Sequence, residues 1–323
     1  MAEHKSGDPY IKQSGHLNVG DGHKIYFEDW GNPAATPIMH LHGGPGAGFS
    51  QSHKLLYNPV IHRVIFHDQR GCGQSRPFAS VKANTTKYLV ADIEKLREHL
   101  GIDKMYVVGG SWGSTLTMVY AIAHPERVNK MMMWGIYLNR QAETDYLYQG
   151  GPKEIFPEAW ERFINHVPAK DRTSSLGVIK FYASKIQSRN ERTAQKYAAE
   201  WTLWESSTVS LSYDRQAVEH EILGGDQKQQ AFNLAIARLE SHYFLNNCFI
   251  EDDYILKNIN QIKHIPAYVI QGRFDHCTPP AAAVDLARAY GPKLSLQIVR
   301  AGHLRSEPEG LAALRAVASA ALV

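Results

Sequence analysis

The chain has only three cysteines among its 323 residues, Cys72, Cys248 and Cys277, widely separated in sequence. They are too few and too scattered for a disulfide framework or a clustered thiolate metal site, and a reducing, cytoplasmic setting is expected. No stretch approaches the ~20 uninterrupted apolar residues of a membrane-spanning helix. Residues 1–8 are polar and lack the apolar centre of a secretory signal. A charge bias is also missing: 35 basic side chains face 32 acidic ones with no long run of either sign, which removes the electrostatic basis for nucleic-acid binding. There is no internal repeat and no low-complexity tract. Neither a nucleic acid nor a membrane is therefore an expected partner, and nothing fixes the oligomeric state.

What is present is a chain that is 44% hydrophobic, long enough for one large core carrying an inserted subdomain. Short apolar runs of strand length recur at 24–28, 38–41, 64–67, 105–108, 130–134, 267–270 and 296–299. Helical patterns lie between several of them; in 88–100, for example, Leu89, Ile93, Leu96 and Leu100 share one face. Strand alternating with helix predicts a mostly parallel sheet with helices on both faces. The rhythm stops between about 139 and 246, where Trp- and Tyr-rich amphipathic segments replace the strands. The expected organisation is an α/β core of residues 1–138 and 247–323 with a helical cap of 139–246.

Gly109-Gly110-Ser111-Trp112-Gly113 falls between a predicted strand at 105–108 and a predicted helix at 114–123, the context in which G-x-S-x-G signifies a nucleophile turn. A helix-capping serine in a Gly-rich turn is the plainer alternative. A serine hydroxyl needs a base, and the base needs an orienting acid. On such sheets these partners follow the serine in the order acid then histidine, each in a loop after a late strand. Asp275 follows 267–270 and His303 follows 296–299, so Asp275 is the expected acid and His303 the expected base; Asp252 and Asp253 precede the strand. The oxyanion needs two backbone donors. Trp112 supplies one amide, and His42-Gly43-Gly44-Pro45-Gly46 after the 38–41 strand supplies the other, Gly44 before Gly43. His40 and His42 share strand parity, but the sequence puts no carboxylate near them, so no metal site is expected. Asp68-Gln69-Arg70-Gly71-Cys72-Gly73 reads as a bracing loop acting through Asp68 and Arg70, with no base beside Cys72.

These motifs, together with Trp30-Gly31-Asn32-Pro33 and the continuation of the serine turn into Ser114, resemble the prolyl aminopeptidases (proline iminopeptidases) of the α/β-hydrolase superfamily over nearly the whole chain. The resemblance implies release of an N-terminal residue, typically proline, from a small peptide or amide with a free N-terminus, with no metal and no organic cofactor. Within the cap, Trp201-Thr202-Leu203-Trp204-Glu205 resembles the family's W-x-x-W-E, and Arg238-Leu239-Glu240-Ser241-His242-Tyr243-Phe244 its R-x-E-x-H-Y-F. It implies that Glu205 and Glu240 bind the substrate ammonium and that Tyr137, Tyr148 and Phe244 wall the proline ring. Departures from the pattern fall at three places: Trp134 stands where arginine is usual, Ser206 where glycine is usual, and after the base Leu304 replaces a small residue and Arg305 is added. An esterase or amidase of the same fold, with no demand for a terminal amine, is the alternative.

Overall fold

The structure is a computed structural model that describes residues 7–323; the first six residues of the polar start, and of the expected core, lie outside the described residues. Eight strands form one sheet: β1 (Ile11–Gly20), β2 (His23–Gly31), β3 (Pro37–Leu41), β4 (Arg63–His67), β5 (Met105–Ser111), β6 (Val128–Ile136), β7 (Ala267–Gly272) and β8 (Leu294–Val299). Their order is β1-β2-β4-β3-β5-β6-β7-β8. Only the β1/β2 and β2/β4 pairs are antiparallel; from β4 onward every pairing is parallel. The expected mostly parallel sheet is thus present, and it carries an antiparallel edge.

The helices are α1 (Gln51–Lys54), α2 (Thr86–His99), α3 (Trp112–Ala123), α4 (Gln141–Tyr148), α5 (Pro157–Asn165), α6 (Ser175–Ile186), α7 (Glu191–Val209), α8 (Arg215–Gly224), α9 (Gln227–Leu245), α10 (Tyr254–Asn258), α11 (Pro280–Tyr290) and α12 (Pro308–Ala321). Both faces of the sheet are covered because strand side chains alternate. In β5, Met105 and Val107 join the core layer of α2, α3 and α11, while Tyr106 and Val108 join the layer that includes Leu314 and Ala318 of α12. Central strands buried on both faces read as continuous apolar runs, which is why they stand out in the sequence. β1 does not. It is an edge strand whose polar residues mostly face solvent, so it lacks an apolar signature.

Among the described residues no strand occurs between β6 and β7. Helices α4–α10 lie in that interval, and several of them pack around an aromatic cluster of their own, with Tyr148, Phe163, Tyr182, Trp201 and Trp204 all buried. The loop after β4 braces the rim of the sheet as expected. Arg70, 1% exposed, donates Nε to Asp92 Oδ2 at 2.6 Å and Nη2 to Oδ1 at 2.8 Å, joining the loop to α2. It also donates to the carbonyl of Ala83 at 2.8 Å. Removing one partner of a buried pair leaves the other charge uncompensated, at a cost of about 3–5 kcal/mol. Arg70→Met should therefore lower unfolding free energy by about that amount in urea denaturation, whereas an effect near zero would show that the pair carries no bracing role.

Candidate active site

Ser111 ends β5 and serves as the N-cap of α3 with φ 57° and ψ −130°, a conformation that a side-chain-bearing residue holds only under surrounding constraint. The constraint is visible in its glycines. A Cβ on Gly109 would lie 2.2 Å from the carbonyl oxygen of Gly113, and one on Gly113 would lie 2.2 Å from that of Leu41. Gly110 is equally constrained, because its Cβ would sit 1.9 Å from the indole of Trp134. Ser114 closes the turn by donating Oγ to the Ser111 carbonyl at 2.7 Å and accepting the Tyr137 amide at 3.1 Å.

Asp275 and His303 emerge from the loops after β7 and β8 and meet: His303 Nδ1 is 2.8 Å from Asp275 Oδ2. The carboxylate is fully engaged, accepting the amides of Cys277 and Thr278 at 3.0 and 2.7 Å, Gln271 Nε2 at 3.1 Å and Thr278 Oγ1 at 2.9 Å. Burial works against a charged His303, but the Asp275 carboxylate outweighs it and holds the imidazole pKa above its usual value. Gly135 gives the ring its place, since a Cβ there would lie 2.8 Å from Cε1. Ser111 and His303 line one cavity of about 630 Å³. No hydrogen bond joins Ser111 Oγ to the imidazole among the described residues; such contacts are commonly loose before substrate binds. Sequence reasoning overlooked Thr278 and Gln271, which hold Asp275 from within its own loop and strand, and Gly135, which meets His303 from a distant strand.

Gly43, Gly44 and Trp112 line the same cavity, and two buried side chains lock their positions. His42 Nδ1–H donates to the Gly43 carbonyl at 2.9 Å, and its Nε2 accepts the Gln69 amide at 3.0 Å. Burial pulls the His42 pKa down to about 4, so the ring is neutral and both nitrogens are used. Gln69 in turn donates Nε2 to the His42 carbonyl at 2.9 Å and accepts Trp112 Nε1–H at 3.1 Å. The Gly43 carbonyl also accepts the Ala47 amide at 3.3 Å. Because the peptide is planar and trans, fixing that carbonyl fixes the Gly44 N–H in the opposite direction.

The expectation that no carboxylate approaches His42 is corrected by the strand order. β3 and β4 are neighbours, so the loop after β4 passes close to the loop after β3, and ligand-type atoms of His42, Asp68 and Cys72 lie within 4.8 Å of one another. Cys72 Sγ is 3.3 Å from His42 Nε2, so a histidine does stand beside it. Burial nevertheless pushes the thiol pKa well up, and the thiol donates to the Gln69 carbonyl at 3.1 Å. Asp68 accepts the amides of Phe49 and Gln74 at 2.9 and 2.7 Å. The donor set is spent on hydrogen bonds that hold the two loops together. His40 is bonded separately, to Tyr57 Oη at 2.8 Å.

Helices α7 and α9 bring Glu205 and Glu240 together at one wall of the cavity. Tyr148 Oη donates to Glu205, and Trp201 Nε1 donates to Glu240 Oε2 at 2.8 Å. Burial raises the pKa of both carboxyls; for Glu240 the neighbouring Glu205 charge raises it further, while hydrogen bonds from Glu240 and Tyr148 favour the Glu205 anion. Burial and the adjoining Glu205 charge thus favour the protonated form of Glu240. Tyr148 stacks on Trp201 at 4.8 Å and tilts toward Phe244 at 5.6 Å, and Tyr137 meets Phe244 edge-on at 6.1 Å. Trp134 and Leu304 complete the apolar lining.

A doubly wound sheet with a strained serine at the end of its central strand, and an Asp–His pair beside it, defines an α/β-fold serine hydrolase. The family model described as alpha/beta hydrolase fold matches residues 36–307. The chain is 44% identical to a proline iminopeptidase of Neisseria gonorrhoeae over 92% of its own length and 93% of the relative's. It is 42% identical to one of Arabidopsis thaliana over 97% and 80%. A crystal structure of a proline iminopeptidase-related protein of Thermus thermophilus superposes with TM-score 0.61 at 18% identity, covering 96% of this chain and 98% of that one, a likeness of fold. The chain belongs to the proline iminopeptidase family of α/β hydrolases.

A carboxyl pKa raised in the folded state means that the folded protein holds a proton the unfolded chain would release. Stability from that proton is full below the ordinary carboxyl range and is lost as pH rises through the raised value. Glu240→Gln removes this alkaline cost. The variant should melt a few degrees above wild type at pH 8, with the difference shrinking toward pH 5; a pH-independent difference, or a lower melting temperature at pH 8, would contradict the protonated form of Glu240.

Proposed function

We propose that the protein is a serine aminopeptidase that releases an N-terminal residue, preferentially proline, from small peptides or amides. The observation that carries this reading is the pair of carboxylates, partly buried Glu205 and buried Glu240, in the same cavity as Ser111 and His303. Two adjoining acids whose pKa values are raised by burial, and for Glu240 also by the Glu205 charge, are costly without a cation. A substrate ammonium supplies that cation, and its entry releases the Glu240 proton. Tyr137, Tyr148 and Phe244 then enclose an apolar ring adjoining the ammonium, and the helices of 139–246 act as the cap that delivers it.

With the amine seated, the scissile carbonyl lies over Ser111. His303 takes the Ser111 Oγ proton as the Oγ–C bond forms, and Asp275 stabilises the resulting imidazolium. The oxyanion is held by the amides of Trp112 and Gly44, each such donor being worth ~3 kcal/mol in the transition state. The imidazolium then protonates the leaving nitrogen, the C–N bond breaks, and the acyl group remains on Ser111. Water, deprotonated by His303, attacks the ester and frees the amino acid. Every bond made or broken is served by this chain's own side chains and amides. The three free cysteines, two of them buried, suit the expected reducing compartment.

Ser111→Ala should lower kcat on a prolyl arylamide by about 10⁴-fold or more with an unchanged thermal transition; retained turnover would remove Ser111 from the chemistry. The amine requirement is tested separately by comparing prolyl arylamide with its N-acetyl form. Hydrolysis should be confined to the free amine, and Glu205→Gln should raise KM for it by about 10-fold or more, as loss of a charge-assisted contact does. Equal hydrolysis of the blocked substrate would favour the esterase or amidase alternative. In wild type, kcat/KM should fall on acidification as His303, whose pKa Asp275 holds up, and the glutamate pair take up protons; a flat acid limb would contradict both roles.

A further inference from the structure

The wall of the cavity built by the loop after β8 and by α1 carries a cation to which the reaction assigns no task. Arg305 stands two residues beyond His303 and lines the cavity with it. Its Nη1 donates to the Ser52 carbonyl at 3.0 Å and its Nη2 to Ser52 Oγ at 2.6 Å. A guanidinium has five N–H donors, so three are left over. Among the described residues no carboxylate oxygen comes within 4.0 Å of it. The neighbouring His53, whose pKa burial and then Arg305 itself pull down to about 3, is neutral. Tyr57 and His40 behind it are neutral as well, their pKa values moved up and down respectively by burial. Arg305 is thus a partly buried charge without a counter-ion, tethered in place by Ser52.

Its position fixes which part of a substrate it meets. The base that activates Ser111 must also protonate the leaving nitrogen, so the leaving group lies on the His303 side, where Arg305 follows in the same loop. The acyl residue occupies the opposite side, against the glutamates of α7 and α9. Negative charge on the cap wall and positive charge on the loop wall complement a zwitterion. A cavity of about 630 Å³ has room for a peptide of about two or three residues. Of the other acids that line the cavity, Glu143 is engaged by Arg140 at 3.5 Å and Glu221 of α8 is exposed.

We infer that Arg305 binds the C-terminal carboxylate of a short free peptide whose first residue sits in the glutamate pocket, so that the site selects uncapped di- and tripeptides over longer or amidated ones. A carboxylate accepts two parallel N–H bonds from such a fork, giving a partner to a charge that has none within the protein. The inference rests on the aminopeptidase reading of the same cavity.

The decisive experiment measures kcat/KM on prolyl-alanine and on prolyl-alanine amide, which differ only in the terminal charge, for wild type, Arg305→Met and Arg305→Lys. Prolyl arylamide turnover and the thermal transition establish that each variant is folded. Wild type should prefer the free acid by about 10-fold. Arg305→Met should bring the acid-to-amide ratio close to one, the change falling in KM, and Arg305→Lys should restore part of it as a point charge without the fork. If the ratio is the same in wild type and Arg305→Met, the carboxylate role is overturned while wild-type turnover of the arylamide leaves the aminopeptidase reading standing. If wild type cleaves neither the arylamide nor either dipeptide, both fall together.

Discussion

A side chain held at φ 57° at the end of a central strand is the constraint on which the rest of the site depends. The turn that lifts Ser111 into the cavity exists because α3 approaches β5 more closely than a Cβ at Gly109 would allow, and β3 more closely than a Cβ at Gly113 would allow. The same closeness places the Trp112 amide at the start of α3, beside the cavity. It also brings the loop after β3 alongside, where a Cβ on Gly43 would touch the Ser111 Cβ at 3.2 Å. Strain of this kind persists only when its surroundings over-determine it. Here Ser114, Gln69 and His42 do so through hydrogen bonds that are buried and neutral, insensitive to salt and, with the His42 pKa at about 4, to pH across the neutral range.

The second organising feature is charge imbalance. Most buried charges in the molecule are paired, as Arg70 is with Asp92. Inside the cavity the pattern is different: two carboxylates adjoin each other on the wall made by α7 and α9, and a guanidinium stands without an acid on the wall made by the loop after β8. Each arrangement lowers the stability of the protein by itself and is relieved by a ligand of opposite sign. Such departures from a well-satisfied interior concentrate at functional sites.

The sequence made the sheet legible wherever strands are buried on both faces, and it made Ser111, Asp275 and His303 legible because each follows a strand that is itself easy to read. The edge strand β1 escaped because one side of it meets solvent. The bracing groups escaped for another reason. Gln69, Thr278 and Gly135 matter through contacts with residues 25 or more positions away, as Thr278 does with His303, and a linear pattern has no record of such meetings. His42 shows the limit most clearly: its parity with His40 was visible, but the carboxylate and thiol beside it arrive from the next strand over. The glutamate pair was legible only through resemblance, since each alone reads as a solvated helix residue.

Ser111 as nucleophile and the glutamate pair as amine receptor form one claim that a single labelling experiment tests. A fluorophosphonate probe followed by peptide mass mapping should place the adduct on Ser111, and labelling should be slowed by prolinamide, which carries a free amine, but not by N-acetylprolinamide at the same concentration. An adduct on any other residue, or equal protection by the two amides, would contradict it.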